Sequence, residues 1–295
     1  MSRPHLASPE ERAALADLEL LARTTVEGVR QGLHRSPFHG YSAEFAQYRH
    51  YRPGDDLRHV DWKRFARSDR LYTRQFRETT NLGAVLVLDQ SRSMAFPPAG
   101  PTKFAVARAA AAALAGLIVD QGDTVGLLAL GDGRATWVPP GSGRHHLHTV
   151  LAALARLAPE GTTPIGAAVR RASGLLRRKG LLIVLSDFYD APASLDDVRR
   201  AARMGHEPLL VHVLAPQERR LDVPRDAEVE DLETGERLVI SAPAIREAFA
   251  REVEAWTRAV REGARADGID AVELVTDAPV ADQLRRSLVA RRARA

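Results

Sequence analysis

The chain has no cysteine among its 295 residues, which excludes disulfide cross-links and thiolate zinc sites and fits a reducing compartment. The cytoplasm is the expected location. A long hydrophobic span is also missing. The longest apolar run, Phe104 to Val119, is interrupted by Arg108 and falls short of the roughly 20 residues that a bilayer requires. Met1 to Arg12 is polar and charged without an apolar core, so no secretory signal is expected and the chain reads as soluble, with no membrane insertion. No internal repeat and no low-complexity tract occurs. Nor does a Gly-x-x-x-x-Gly-Lys phosphate loop, which removes nucleotide hydrolysis by that route.

The apolar fraction of 45% is enough for a proper core. The net charge of +4 and a pI near 9.7 raise the question of nucleic acid. Arginine is spread along a chain equally rich in Ala, Leu and Val, however, so nucleic acid is not the expected partner.

Ala13 to Gly32 predicts an amphipathic helix, with Leu15, Leu18 and Leu21 at helical spacing. From His34 to Phe76 the chain is dense in Arg, Asp, Tyr and Gly and has little apolar periodicity, which predicts an irregular charged segment. From Gly83 onward, short runs of Val, Leu and Ile alternate with segments of helical period, an α/β signature. The runs Ala84–Leu88, Thr124–Leu130, Leu181–Leu185, Leu209–Leu214 and Ala271–Val275 lack polar alternation, as strands covered on both faces do. Ala135–Val138 is expected as an antiparallel edge. Helices are expected at Lys103–Val119, His145–Leu157, Ile165–Arg178, Ser194–Met204, Ala244–Ala266 and Val280–Arg292. Two alternating stretches flank Thr234-Gly235 and predict a hairpin inserted at 216–243. The expected organisation is therefore 1–82, an N-terminal helix and charged segment, followed by an α/β domain at 83–295.

The chemistry collects at strand ends. Leu88-Asp89-Gln90-Ser91-Arg92-Ser93-Met94 follows the first buried run, so one carboxylate and two hydroxyls at two-residue steps can converge once the loop turns. Open α/β sheets bind ligands there, outside the carboxyl ends of the strands. Thr162 or Thr163, in the turn Gly161-Thr-Thr-Pro-Ile165, can add a hydroxyl, and Asp187 ends another buried run. Singly, each is an ordinary cap or turn residue. Together, two carboxylates and three hydroxyls make a hard, oxygen-only set suited to Mg²⁺, with Mn²⁺ as a substitute. With only two acidic ligands, a coordination position is left for a carboxylate of another molecule. The enzymatic alternative is a metal-dependent hydrolase acting on phosphoesters or nucleic acid. An aspartyl-phosphate site usually wants a second carboxylate where Ser91 stands, and none of the three loops offers a His as general base.

Asp89-x-Ser91-x-Ser93 with Thr163 and Asp187 resembles the metal-ion-dependent adhesion site of von Willebrand factor A domains, whose Gly-x-Thr spacing selects Thr163 over Thr162. Tyr51-Arg-Pro-Gly-Asp-Asp-Leu-Arg-His-Val-Asp-Trp-Lys-Arg-Phe-Ala-Arg67, together with Gly32-Leu-His-Arg-Ser-Pro37, is similar to the signature of a bacterial family known as domain of unknown function 58. The resemblance implies a von Willebrand factor A-like, mostly parallel sheet with helices on both faces. It also implies a binding rather than catalytic role, as adapter to a MoxR-type AAA+ ATPase and its client protein.

Two further clusters have open readings. Asp55, Asp56, Arg58, Asp61 and Trp62 form either a partner-facing surface or an internal network, and mixed signs at close spacing favour the network. His145, His146 and His148 suggest a metal site, but adjacent residues face different sides of a helix, which favours a solvated helix start.

Overall fold

The apolar runs from Gly83 onward form the strands of one six-stranded sheet in the computed structural model, which describes residues 8–32, 43–52, 60–68, 70–78, 83–131, 134–162, 164–176, 178–221, 223 and 225–292. In chain order these strands are β3 (Gly83–Asp89), β4 (Thr124–Gly131), β5 (Arg134–Gly141), β6 (Leu181–Ser186), β7 (Glu207–Leu214) and β10 (Asp270–Val275). Their spatial order is β10-β7-β6-β3-β4-β5. All neighbours are parallel except β5, which pairs antiparallel with β4. That edge strand ends in Pro139-Pro140, residues tolerated where no further strand must bond. The five strands and the antiparallel edge expected from sequence are all present, but β10 lies at the other edge and is not covered on both faces: Ala271 and Glu273 are exposed while Val272 and Leu274 are buried.

Side chains alternate across the sheet, and each face is covered. Val85, Val87, Leu182, Val184 and Leu210 pack against helices α5 (Ile165–Leu175), α6 (Ala193–Arg203) and α8 (Ala242–Ala266). The residues between them, including Leu86, Leu88 and Ile183, are also fully buried, and by the strand period they face α3 (Lys103–Asp120). Each such Leu or Val contributes about 1.5–3 kcal/mol relative to exposure. The Ala-rich α3 is short enough in side chain to lie against both the sheet and helix α1 (Pro9–Gly32). At Gly116 a Cβ would come within 3.1 Å of Ala22 Cβ, so glycine there permits the close approach. Helix α1 also packs on α4 (Gly143–Arg156) and α9 (Val280–Arg292). Strands β8 (Asp226–Glu230) and β9 (Arg237–Ser241) form the expected antiparallel hairpin, preceded by a short helix α7 (Pro216–Arg219) that the sequence reading did not anticipate.

The chain divides into two units, 38–82 and the remainder. Helix α1, expected with the charged segment, thus goes with the α/β unit. The smaller unit is more ordered than its composition suggests. Strands β1 (Ala43–His50) and β2 (Tyr72–Glu78) pair antiparallel with a bulge between Phe45 and Gln47, and Val60 bridges to Thr73. Helix α2 (Trp62–Ser68) is capped by Asp61, whose Oδ1 accepts the Arg64 N–H at 3.0 Å. Among the described residues, no helix is long and apolar enough to cross a membrane.

Candidate metal centre

Strand β3 delivers Asp89 to the carboxyl end of the sheet, and a single 3-10 turn, Arg92–Ala95, brings Ser91 and Ser93 back beside it. The carboxylate is held at both oxygens: Oδ1 accepts the Ser91 N–H at 2.8 Å, and Oδ2 accepts the Ser186 hydroxyl at 2.5 Å. Strand β6, next to β3, delivers Asp187. The following Phe188 adopts φ +53°, a left-handed conformation costing of order 1–3 kcal/mol for a bulky residue. Its ring is nevertheless wholly buried, its N–H is accepted by Ser186 Oγ at 2.8 Å, and its carbonyl accepts the Trp256 indole N–H. This sharp reversal inserts Phe188 into the core between two polar residues of the rim.

Of the oxygens expected to converge, those of Ser91, Ser93 and Asp187 lie together. Ser91 Oγ and Ser93 Oγ are 3.0 Å apart, and Ser93 Oγ donates to Asp187 Oδ2 at 2.8 Å. Adjacent ligands of an octahedral Mg²⁺, at metal–oxygen distances of about 2.1 Å, stand about 3.0 Å apart. The spacing and chemistry of these donors therefore fit a small, hard divalent cation. Thr163 lies outside the described residues. The segment 158–161 runs alongside the loop after β3: Gly161 O accepts the Arg92 N–H at 3.0 Å, Gln90 O accepts the Glu160 N–H at 2.7 Å, and the Gln90 amide donates to Ala158 O at 2.9 Å.

Three residues that sequence reasoning missed complete the centre. Lys103, the first residue of α3, is 0% exposed, and its ammonium donates to Asp187 Oδ2 at 2.7 Å and to Glu218 Oε1. Glu218, on α7 just beyond β7, also accepts the Ala215 N–H at 2.8 Å. Ser186 is the third, through its bond to Asp89. Lys103 reads in sequence as an ordinary first-turn residue. Its only signal is that it opens a helix otherwise almost devoid of charge, behind the N-cap Thr102.

The electrostatics follow from burial. Removal from water pushes the Asp89 carboxyl well above the usual carboxylate range, and repulsion by Asp187 adds to the effect. Burial works against the Lys103 charge, yet Asp187 and Glu218 outweigh it and the net shift is upward. Burial likewise raises Glu218 despite its pairing with Lys103. Fully ionised, the three carboxylates and one ammonium carry a formal charge of minus two, the complement of a divalent cation. Beneath them His212 is 4% exposed, edge-on to Phe188 and Trp256, and burial lowers its pKa to about 4.

The secondary clusters resolve differently. Asp61 is a correction: it is 4% exposed and spent internally, accepting the Tyr48 hydroxyl at 2.9 Å while capping α2, with Arg64 lying over the rings of Tyr48 and Tyr72. It does not offer its carboxylate to a partner. Trp62 is 56% exposed. Asp55, Asp56 and Arg58 lie outside the described residues. The three histidines do not converge, because His146 bonds Val125 O and His148 bonds Glu19. Among the described residues, no group of three or more His, Cys, Asp or Glu is placed to hold a metal ion, so any cation at the strand ends would rest on two aspartates and hydroxyls.

The chain is similar over most of its length to Uncharacterized protein Rv1480 of Mycobacterium tuberculosis, at 34% identity over 281 residues that cover 94% of this chain and 88% of the relative. A Mycobacterium bovis protein, Uncharacterized protein Mb1516, matches to the same extent. Similar solved structures include the conserved hypothetical protein BatB from Bacteroides thetaiotaomicron (17% identity, TM-score 0.45, covering 72% of this chain and 100% of that one). The SpRpn10 VWA domain is another (14% identity, TM-score 0.42, covering 69% and 94%). A family model matches residues 47–259, taking in the strand-end carboxylates, Lys103 and the hairpin, and the chain belongs to that family, described as Protein of unknown function DUF58.

Proposed function

We propose that this chain is a Mg²⁺-dependent protein-binding module, with Mn²⁺ able to replace Mg²⁺, acting as adapter between a MoxR-type AAA+ ATPase and its client protein. The observation that carries the proposal is the meeting at one sheet end of Ser91, Ser93 and Asp187, with oxygen spacings of 3.0 and 2.8 Å, beside an Asp89 whose carboxylate accepts the Ser91 N–H. Held by these residues and Thr163, the cation supplies a positive charge to which a partner's carboxylate is drawn. The protein's own part is preorganisation. Ser186 and the Ser91 amide fix Asp89, while Lys103 and Ser93 both hold Asp187 Oδ2, so little side-chain freedom remains to be lost on binding. Tyr189, exposed next to Asp187 and stacked on Trp256, offers an aromatic contact beside the charge.

The hydrolytic reading has less behind it. His212 is sealed among aromatic rings with its proton affinity depressed, and Glu218 is committed to Lys103, so neither is placed to take a proton from an attacking water.

The test is to titrate Mg²⁺ into wild type and Asp89→Ala and measure affinity for a MoxR-type ATPase. Removing a buried, repelled carboxylate should leave the fold intact. Metal-dependent binding that Asp89→Ala or chelator abolishes is the expected result, and equal affinity with and without Mg²⁺ overturns the proposal.

A further inference from the structure

The β8–β9 hairpin is a sheet of its own, and among the described residues neither strand has a second neighbour. Two strands are too few to bury a face: Val239 is 73% exposed, Leu238 62% and Val229 36%. The turn fixes which backbone groups are left over. Glu236 O accepts the Asp231 N–H at 2.9 Å, and hydrogen-bonded and non-bonded pairs alternate from there along an unshifted register. Val229 and Leu238 therefore exchange backbone bonds, whereas Asp226, Glu228 and Glu230 turn their N–H and C=O groups away from β9, along the outer edge of β8. Arg237 ties the strands by pairing with Glu230 at 2.9 Å, and Gly235 supplies the left-handed φ of +74° in the turn, so the edge is presented already formed.

Chemistry selects what fits there. Residues 226–241 carry six carboxylate side chains against one basic residue, Arg237, in a chain whose net charge is +4. Along β8 the acidic residues alternate with apolar ones, Asp226-Ala-Glu-Val-Glu230, so one face of the strand is acidic and the other apolar. Charge on an edge strand guards against indiscriminate pairing, but charge of one sign leaves the edge open to a strand of the other sign. We propose that the outer edge of β8 receives an extended segment of a partner protein in which basic and apolar residues alternate. Its Lys or Arg side chains stand opposite Glu228 and Glu230 on the acidic face. Its apolar side chains lie against Val229 and widen the strip that Val229 forms with Leu238. No strand-end aspartate takes part, so this contact needs no cation and is separable from the metal-binding reading.

The test uses the full chain in chelator and two short fluorescent peptides, one alternating Lys and Val, the other Glu and Val, followed by anisotropy at rising salt. The Lys-Val peptide should bind and the Glu-Val peptide should not, with affinity falling as salt screens the charges. Glu228→Lys combined with Glu230→Lys should weaken Lys-Val binding by about tenfold and transfer the preference to the Glu-Val peptide. Glu228→Pro, which removes an outward N–H and leaves the ladder to β9 intact, should weaken binding more than Glu228→Gln does. Both positions are exposed, and unchanged urea midpoints check that each variant keeps its fold. Binding of both peptides alike, binding of neither, or equal Lys-Val affinity in wild type and the charge-reversed chain overturns the proposal. So does sedimentation showing a dimer that Glu228→Pro dissociates, because the occupant of the edge is then a second copy of this chain.

Discussion

At the amino end of the central sheet, helices α3, α6 and α8 each stop on a glycine in the left-handed conformation, Gly122 at φ +84°, Gly205 at +90° and Gly268 at +69°. In each case the next residue bonds back to the helix: Asp123 to Ile118, His206 to Ala201 and Ile269 to Ala264. At the carboxyl end the loops after β3, β6 and β7 instead carry Asp89, Ser91, Ser93, Asp187 and Glu218, with side chains bonded to one another across the strands. One end satisfies its backbone locally and turns tightly. The other gathers polar side chains from distant segments and leaves a negative charge buried. A sheet of one architecture thus divides its labour, with tight closure at one end and a buried polar cluster at the other.

The largest effect expected from this division is at Lys103. Replacing it in Lys103→Met leaves Asp187 and Glu218 buried without their cation, which should cost about 3–5 kcal/mol in urea denaturation under chelator. Added Mg²⁺ should return part of the loss. A cost no greater than that of an exposed ion pair, about 1 kcal/mol or less, would show that the carboxyl end does not store the charge described.

A smaller effect is expected at the amino end. Nothing within 4 Å obstructs a Cβ at Gly122, so Gly122→Ala should register only backbone strain, about 1–2 kcal/mol. Mg²⁺ affinity by calorimetry should match wild type, and a parallel fall in affinity would mean that the two ends are not separable.

The smallest concerns His206, buried beside Gly205, whose pKa is lowered from 6.5 chiefly by burial. A depressed histidine favours folding while neutral, so its contribution is present above 6.5 and is lost as pH falls toward the lower folded value. Wild type should therefore lose stability below that pH relative to His206→Gln, measured by urea midpoints in chelator. An identical pH dependence in the two proteins would remove His206 from the account.

The parts of this fold readable in sequence are those with local causes. Short uninterrupted runs rich in Leu, Ile and Val, such as Leu181–Leu185, fit strands covered on both faces, and Asp89 and Asp187 announced themselves by ending such runs. Thr234-Gly235 marked the hairpin because a left-handed turn needs such residues. Strands β1 and β2 escaped notice because Tyr72–Glu78 and Ala43–His50 are largely polar, so their pairing carries no apolar alternation to detect. Lys103 and Glu218 escaped for a different reason. Each looks like an unremarkable charged residue of a helix start or turn, and only the tertiary fold sets Lys103 between Asp187 and Glu218, 84 and 115 residues away.

The two backbone hydrogen bonds that join Gln90 and Arg92 to Glu160 and Gly161 form a short ladder between the loop after β3 and the segment entering α5. A pull on anything gripped at Ser91 and Ser93 is therefore shared at once between a central strand and a helix on its far flank. Neither loop can peel away alone, and a load on one is passed to the other through those two bonds.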